Sequence, residues 1–501
     1  MHTMLFRVDG SPEIGAGHVM RCLSLAQELQ DAGGDAVFLC KNLNEAYGKR
    51  LQQEGCTVLP LKAKAYGESD AEETLSIAND QEATWIILDG YDFDAAYQKH
   101  LTGKGAQILV IDDHRFQEHH VCDMLLNQNP QCDRTYEYAD AKKMLLGTRY
   151  TMLRREYRKR SPDTYAIPEG PVSVLVTLGG SDPKQMTPLV LRALSSVSIP
   201  MRVTVILGGA NANATDVEKI ASASPFPVEI LQDVRDMPEA ICGHTLAISA
   251  AGSTCYELAY MGIPMITIIV ATNHNQDCVA EGLSRAGAAR NLGLYDTLTE
   301  EHIAKAVRET LSDQDSLRRM SACARKVVDG EGAPRVLQQM VGNRLRLNMA
   351  KQEHCRMIWE WANDPATRKA SFSSEPIPWD DHVRWFEGKL KDNNNYCYIG
   401  WNEEDEPVGQ VRFECVAGKA IISVNIAPNM RGKKYGTELI ALGCRIFFAT
   451  GAANTIRALI KPENTTSIAV FEKTGFEAKR PMTIKGHTAL HYTLEKDNLC
   501  I

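Results

Sequence analysis

An α/β chain, built as two consecutive parallel-sheet lobes followed by a separate α+β domain, is what the sequence predicts, and three observations carry the prediction. Short apolar segments alternate with helical stretches from the N-terminus to about Tyr165. The same alternation restarts after a charged, proline-rich stretch, Arg158 to Pro171. Near Asn343 the character changes, and the tail holds Trp359, Trp361, Trp379, Trp385 and Trp401, five of the six tryptophans. Alternating strand and helix implies parallel sheets flanked by helices, with ligands at the carboxyl ends of the strands. A chain of 501 residues suits about three units of ~150 residues each. They are placed at 1–165, 166–342 and 343–501.

In the first unit, strands are expected at Leu5–Val8, Ala36–Cys40, Trp85–Leu88 and Gln107–Ile111, with helices over His18–Asp31, Glu45–Glu54 and Asp94–Gly103. In the second, Val172–Thr177 ends in Gly179-Gly180-Ser181-Asp182, and Arg202–Leu207 ends in Gly208-Gly209. Leu246–Ser249 and Met265–Val270 complete that set. Two such lobes joined by a linker put a cleft between them. The tail reads helix-rich first, then as a meander over Tyr396–Trp401, Pro407–Cys415 and Ala420–Ile426. A basic loop, a helix, a strand at Ile456–Ile460 and another helix follow.

A net charge of −8 argues against nucleic acid or an anionic membrane as general partner. The N-terminal Met-His-Thr-Met-Leu-Phe-Arg lacks the apolar core of a signal peptide. The longest apolar run, Met265 to Ala271, falls far short of the ~20 residues that span a bilayer. A soluble, cytoplasmic protein is expected. The 14 cysteines form no CxxC pair, so neither a disulfide framework nor a thiolate metal site is expected, only reduced, mostly buried thiols.

The most telling segment runs from Arg7 through Asp9, Gly15, Gly17, His18 and Arg21 to Ala26. A strand leads into a glycine loop and then an amphipathic helix. Such a loop lets backbone approach a ligand and aims helix N–H groups at negative charge. His18 supplies a proton carrier near neutral pH. Arg21, a cation in the first helical turn, opposes the macrodipole and so answers an anion or Asp9. A second junction, Ser249 to Pro264, places Gly252, Ser253 and Thr254 at a small-residue turn before a helix, a geometry that accommodates a diphosphate. Glu257, one turn on, either accepts hydrogen bonds from ribose hydroxyls or faces solvent. Asp112, Asp113 and His114 are adjacent, and consecutive strand residues point to opposite faces, so they cannot share one ion. They are expected to line the cleft, and no metal is expected.

The paired lobes, the glycine loop, the run Gly252, Glu257, Gly262, Pro264 and the downstream Asn273-His274-Asn275-Gln276 resemble the GT-B fold of nucleotide-sugar enzymes, a pair of Rossmann-like lobes. Within that group, Arg7-x-Asp9, Ile14-Gly15-x-Gly17-His18 and Arg21-Cys-Leu-x-Leu-Ala resemble the pseudaminic acid pathway hydrolases, over roughly residues 1–340. That family removes UDP from UDP-2,4-diacetamido-2,4,6-trideoxy-β-L-altropyranose. The resemblance implies an inverting attack of water on the anomeric carbon, with oxocarbenium character as UDP departs. His18 would orient or deprotonate the water, and Asp9 would fix the histidine tautomer or stabilise positive charge. Arg7, Gly15, Gly17, Arg21, Gly252, Ser253, Thr254, Glu257, Asn275 and Gln276 would hold the UDP-sugar. Tyr91, in Leu88-Asp89-Gly90-Tyr91, either contacts water or substrate or is a half-buried packing residue.

In the tail, Ile426-Ala-Pro-Asn-Met-Arg431-Gly432-Lys433-Lys434-Tyr435-Gly436-Thr437 follows a strand and opens a helix. It resembles the pyrophosphate loop of the GNAT acetyltransferases, with Lys434 in place of the central glycine. Lysine still offers its backbone N–H there provided its φ is negative. Glu463-Asn464 through Gly475-Phe476 resembles the second CoA-proximal motif of that fold, with Asn464 where the family meets the pantetheine arm and Phe471 where a tyrosine often protonates the thiolate. Acetyl-CoA is thus the implied co-substrate, bound by Ile426, Arg431 to Thr437 and Asn464. The opening Ile358-Trp-Glu-Trp-Ala-Asn363-Asp364-Pro-Ala-Thr-Arg368 resembles the acetyltransferase of the same pathway, and also enzymes that acetylate protein N-termini. The former acetylates the 4-amino group of UDP-4-amino-4,6-dideoxy-N-acetyl-β-L-altrosamine, whose product is the hydrolase's substrate. Glu414 and Glu463 are the candidate bases. A bifunctional sugar-nucleotide enzyme is therefore expected. The alternatives are a GT-B glycosyltransferase and a tail that is non-catalytic or modifies proteins.

Overall fold

The computed structural model describes residues 2–498 apart from 12–13, 114–118, 131–139, 161–164, 181, 183, 209–213, 233, 272–273, 417 and 485, and apart from the side chains of 274–275. The chain divides into two compact units, residues 2–30 with 34–336, and residues 31–33 with 337–501.

In the first unit, one sheet comprises β1 (Thr3–Val8), β2 (Asp35–Cys40), β3 (Thr57–Pro60), β4 (Ala83–Asp89), β5 (Gln107–Ile111), β6 (Val121–Asn127) and β7 (Asp140–Leu146). Their order is β3-β2-β1-β4-β5-β6-β7, and every pairing is parallel. The central strands are buried on both faces, which is why they read as unbroken apolar runs. The sequence missed β6, whose buried run is interrupted by Asp123, and it missed β3 and β7, which are edges: β7 exposes Lys142 and Lys143, and charged edges protect a sheet from further pairing.

The second sheet holds β8 (Val172–Thr177), β9 (Met201–Leu207), β10 (Val228–Gln232), β11 (Leu246–Ala250), β12 (Met265–Ile269) and β13 (Ala289–Leu294). The order β10-β9-β8-β11-β12-β13 is again wholly parallel. Each sheet reverses its winding once, between β1 and β4 and between β8 and β11. Crevices at such reversals are where doubly wound sheets bind ligands.

The described residues on either side of 161–164 in the stretch read as a linker are bonded to the two lobes. Arg155–Lys159 is helical, Arg158 pairs with Glu28 at 2.6 Å, and the Tyr165 hydroxyl donates to the Thr245 carbonyl at 2.8 Å. The helix Gly332–Val341 begins against the first lobe: Gly332 has no room for a Cβ beside the Thr151 backbone. Arg335 then donates to the Arg149 carbonyl at 2.7 Å.

The other unit is an α+β domain. Its sheet comprises β14 (Arg346–Met349), β15 (Asn395–Trp401), β16 (Pro407–Val416), β17 (Lys419–Ile426), β18 (Thr455–Ile460), β19 (Glu477–Ile484) and β20 (His487–Glu495), ordered β14-β15-β16-β17-β18-β20-β19. All neighbours are antiparallel except β17 and β18. The helix Tyr435–Ala449 packs on one face, with Phe447 stacked on Phe413 at 4.4 Å. The helix Trp379–Lys391 lies on the other, where Trp385 stacks on the Arg412 guanidinium at 4.8 Å.

Candidate active site

A cleft of about 370 Å³ opens at the carboxyl ends of both sheets of the first unit. From the first lobe it is lined by Ile14 to His18, Arg21, Tyr91, Asp113, Gln128 and Asn129. The second lobe contributes Thr177 to Gly180, Asp182, Ser249, Ala250, Gly252 to Thr254, Tyr256, Val270, Ala271 and Gln276. Sequence-expected residues from both lobes thus meet in one place. The turn into the helix Gly17–Asp31 requires Gly15, whose φ is +87°, a conformation other residues adopt at a cost.

At the floor, His18 Nδ1 lies 2.6 Å from Asp89 Oδ1. A carboxylate only accepts, so Nδ1 carries the proton of this contact and Nε2 is the ring nitrogen left for other partners. Arg21 grips both oxygens of Asp89 at 2.6 Å and also bonds Asp113. Burial opposes charge on Asp89, but Arg21 and His18 outweigh it and hold its carboxyl well below the usual range. Burial likewise works against the Arg21 charge, yet Asp113 and Asp89 keep this guanidinium firmly protonated. Tyr91 stands edge-on to His18, ring centroids 4.7 Å apart. Burial, then the nearby Asp113 carboxylate, pushes its phenol up, so the hydroxyl stays a hydrogen-bond donor.

Several assignments need correction. Asp9 does not touch His18: it accepts from the Lys41 and Asn42 amides at 2.6 and 2.9 Å and from the Tyr66 hydroxyl at 2.6 Å. Asp89 holds the histidine instead. Arg7 binds no ligand in this geometry, being fully buried and paired with Asp70 at 2.8 Å and Asp9 at 3.1 Å. The anion that Arg21 answers is Asp89 with Asp113, not Asp9. Glu257 does not face solvent; it pairs with Arg154 at 2.9 Å. Gln276 does line the cleft, with its Oε1 accepting from the Val270 and Ala271 amides at 2.8 and 3.1 Å. The side chain of Asn275, and Asn273, Ser181, Gly209 and His114, lie outside the described residues.

Residues 252–254 stand at the turn where a helix start was expected. They end β11 and open the helix Thr254–Met261, presenting its N-terminus to the cleft. Asn129 and Tyr256 were missed. The Tyr256 hydroxyl donates to Asn129 Oδ1 at 2.6 Å, and Asn129 donates to the Asp113 carbonyl at 3.2 Å, joining the lobes behind the cleft. The available signal was the polar run Asn127-Gln128-Asn129 directly after an apolar strand. Asp112 turns away from Asp113 to His120, at 3.1 Å. Among the described residues no group of three metal-ligating side chains occurs, and no helix is long and apolar enough to cross a membrane.

In the α+β unit, β17 and β18 pair only at Ala420–Ile456 and Ile421–Arg457. Toward Ile426 they pair no further, so a V opens beside the basic loop. Gly432 and Lys434 both have positive φ, +78° and +67°. The expectation of negative φ at Lys434 is therefore overturned: lysine adopts the glycine conformation of the loop. Arg431, expected to meet phosphate, rests on Asp364 at 2.7 Å and Thr367 at 3.0 Å. Lys433 points its ammonium to Met430 Sδ, 3.4 Å away. Tyr435 is buried beneath Arg344, 4.6 Å from the ring centroid. Gly436 and Thr437 form the first helical turn. Asn464 caps the helix Thr465–Lys473 by accepting from the Ser467 amide at 3.2 Å. Phe471 is buried edge-on to Phe476, at 4.9 Å. Glu414 lies level with Ile421, at the closed end of the V, and pairs with Lys389 at 2.9 Å.

Comparison with known proteins agrees with this architecture. Residues 173–339 match the glycosyltransferase family 28 C-terminal domain, and residues 344–477 match the acetyltransferase (GNAT) domain. The MurG crystal structure from Acinetobacter baumannii superposes with a TM-score of 0.51 at 16% identity, covering 68% of this chain and 99% of that one. The chain thus joins a GT-B-type pair of lobes to a GNAT domain. It is a homologue, 25% identical over 224 residues, of the UDP-2,4-diacetamido-2,4,6-trideoxy-β-L-altropyranose hydrolase of Campylobacter jejuni, covering 44% of this chain and 74% of the hydrolase. The Bacillus subtilis spore coat polysaccharide biosynthesis protein SpsG is 24% identical over 340 residues, 67% of this chain and 96% of its own. An uncharacterized protein of Methanocaldococcus jannaschii shares the full arrangement, 22% identical over 486 residues, 94% of this chain and 95% of its own.

Proposed function

We propose that the chain is a bifunctional sugar-nucleotide enzyme of pseudaminic acid biosynthesis. Its GNAT unit transfers acetyl from acetyl-CoA to the 4-amino group of UDP-4-amino-4,6-dideoxy-N-acetyl-β-L-altrosamine. Its two-lobed unit then removes UDP from the diacetamido product by inverting hydrolysis, without a metal and in the cytoplasm. The carrying observation is the His18 imidazole fixed by Asp89 in a cleft that also presents the helix N-terminus at Thr254. That N-terminus supports the leaving diphosphate. His18 Nε2 takes a proton from the attacking water. Asp89 and Asp113 carry two negative charges against the single cation Arg21, so the floor favours positive charge developing at the anomeric carbon. The acceptor amine must be neutral to attack; Glu463, beside the open end of the V, is the candidate base.

Mass spectrometry of a reaction with the amino-sugar nucleotide, with and without acetyl-CoA, tests both halves. Acetylated sugar and free UDP should appear only with acetyl-CoA. The family 28 match favours one other reading, a glycosyltransferase that passes the sugar to an acceptor. UDP release from the acetylated nucleotide with water alone decides against it.

A further inference from the structure

The sheet face of the GNAT unit under the helix Trp379–Lys391 is unusually polar near the open V. Opposed residues of antiparallel strands share a face, so the pairs Gln410–Asn425 and Arg412–Ser423 set four polar side chains together. Gln410 is only 8% exposed, and its side-chain oxygen is buried with no hydrogen-bond partner among the described residues. Buried polar atoms are almost always paired, and an orphan asks for the group that fills it. Asn425 stands one residue before the end of β17, beyond its last pairing with β18. Thr367 covers Asn425: its hydroxyl donates to Asn425 Oδ1 at 3.2 Å while accepting from Arg431 at 3.0 Å. Arg431 is one of the cations of the basic loop, held meanwhile by Asp364 at 2.7 Å.

We propose that Gln410 and Asn425 hold the acceptor amine for acetyl transfer, and that Thr367 covers Asn425 until the acetyl-CoA diphosphate draws Arg431 away from Asp364 and Thr367. This rests on the acetyltransferase reading above. An orphan amide oxygen lacks an N–H donor, and a neutral primary amine supplies one while keeping its lone pair for attack. The nitrogen bonds to the acetyl carbonyl carbon and the carbon–sulfur bond breaks. The CoA sulfur departs with the electron pair and gains the proton that the nitrogen sheds, giving amide and free CoA. Acetyl-CoA accordingly binds first.

Calorimetry and initial rates with the full chain and UDP-4-amino-4,6-dideoxy-N-acetyl-β-L-altrosamine test the assignment. Binding at the GNAT unit should require CoA, so the unaltered chain should take up one more equivalent of amine with CoA than without it. Gln410→Leu should raise KM for the amine at least tenfold, leave acetyl-CoA affinity and the melting temperature unchanged, and be largely rescued by Gln410→Glu. Thr367→Val should bind more amine without CoA than the unaltered chain does. Native amine KM in Gln410→Leu, or the same amine stoichiometry with and without CoA, overturns the proposal. A chain that binds acetyl-CoA but acetylates no amine overturns the acetyltransferase reading itself.

Discussion

His18 sits between a carboxylate and a guanidinium, and that position determines how substitutions around it act. Replacing His18 by alanine removes the proton acceptor and should slow UDP release by about 10²–10⁴-fold, the usual worth of a general base. Asp89→Asn keeps the volume but offers an N–H to Nδ1, turning the ring to the wrong tautomer. UDP release should fall over the same range, measured as free UDP per unit time. The Asp89 carboxyl also makes the fold acid-sensitive. Its folded value is depressed below an unfolded value of about 3.9. The stabilisation is therefore complete above about pH 5 and is lost as pH falls toward the folded value. Urea midpoints measured from pH 6 to pH 3 should fall, and less steeply in Asp89→Asn. Arg7 is a contrasting case. Its motif looked like ligand binding in sequence, yet its guanidinium is spent on Asp70 and Asp9. Arg7→Ala strands two buried carboxylates and should cost about 3–5 kcal/mol, read in urea melts, while KM in the folded fraction stays unchanged.

At the scale of elements, the loop before the helix Tyr435–Ala449 carries the clearest backbone strain. A non-glycine residue at positive φ costs about 1–2 kcal/mol, and Lys434 sits at +67°. Lys434→Val, β-branched, should destabilise the GNAT unit by about another 1 kcal/mol and weaken acetyl-CoA binding. Lys434→Gly should leave the melt near native and reveal what the charge alone contributes. His244 is the matching pH probe in the other unit. Burial depresses its imidazole, so its neutral form stabilises the fold above the ordinary value of about 6.5. That contribution is lost as pH falls through the depressed value, and the melting temperature should drop accordingly. Such elements also mark how far the sequence is legible. Most buried central strands announce themselves as apolar runs, though β6, with Asp123 inside it, does not, and both glycine loops lie where the motifs put them. Edge strands such as β7, polar on their exposed positions, carry no such signal. Nor does pairing at a distance: Asp89 lies 71 residues from His18, so the motif containing Asp9 drew the assignment that Asp89 holds. Positive φ at Lys434 was equally hidden, because the loop imposes it on whatever residue stands there.

For the whole molecule, the decisive point is that each chemistry rests on its own hydrophobic core. Leu5, Leu88 and Leu125 pack under the first sheet, Val176, Ile248 and Ile268 under the second, and Val411, Phe413, Leu439 and Phe447 pack in the GNAT unit. Substitutions that share no partners act additively, so a lesion at one site should spare the other. The His18→Ala chain, given amino-sugar nucleotide and acetyl-CoA, should accumulate the acetylated UDP-sugar and release almost no UDP. The Lys434→Val chain should do the reverse, releasing UDP at the native rate from pre-acetylated nucleotide while acetylating slowly. Mixing the two variants should then restore the complete conversion, because the acetylated nucleotide diffuses from one to the other. Full recovery in the mixture means the intermediate passes through solution. Recovery well below the native rate at dilute enzyme, with each single activity intact, means that joining the two units in one chain shortens the path of the intermediate.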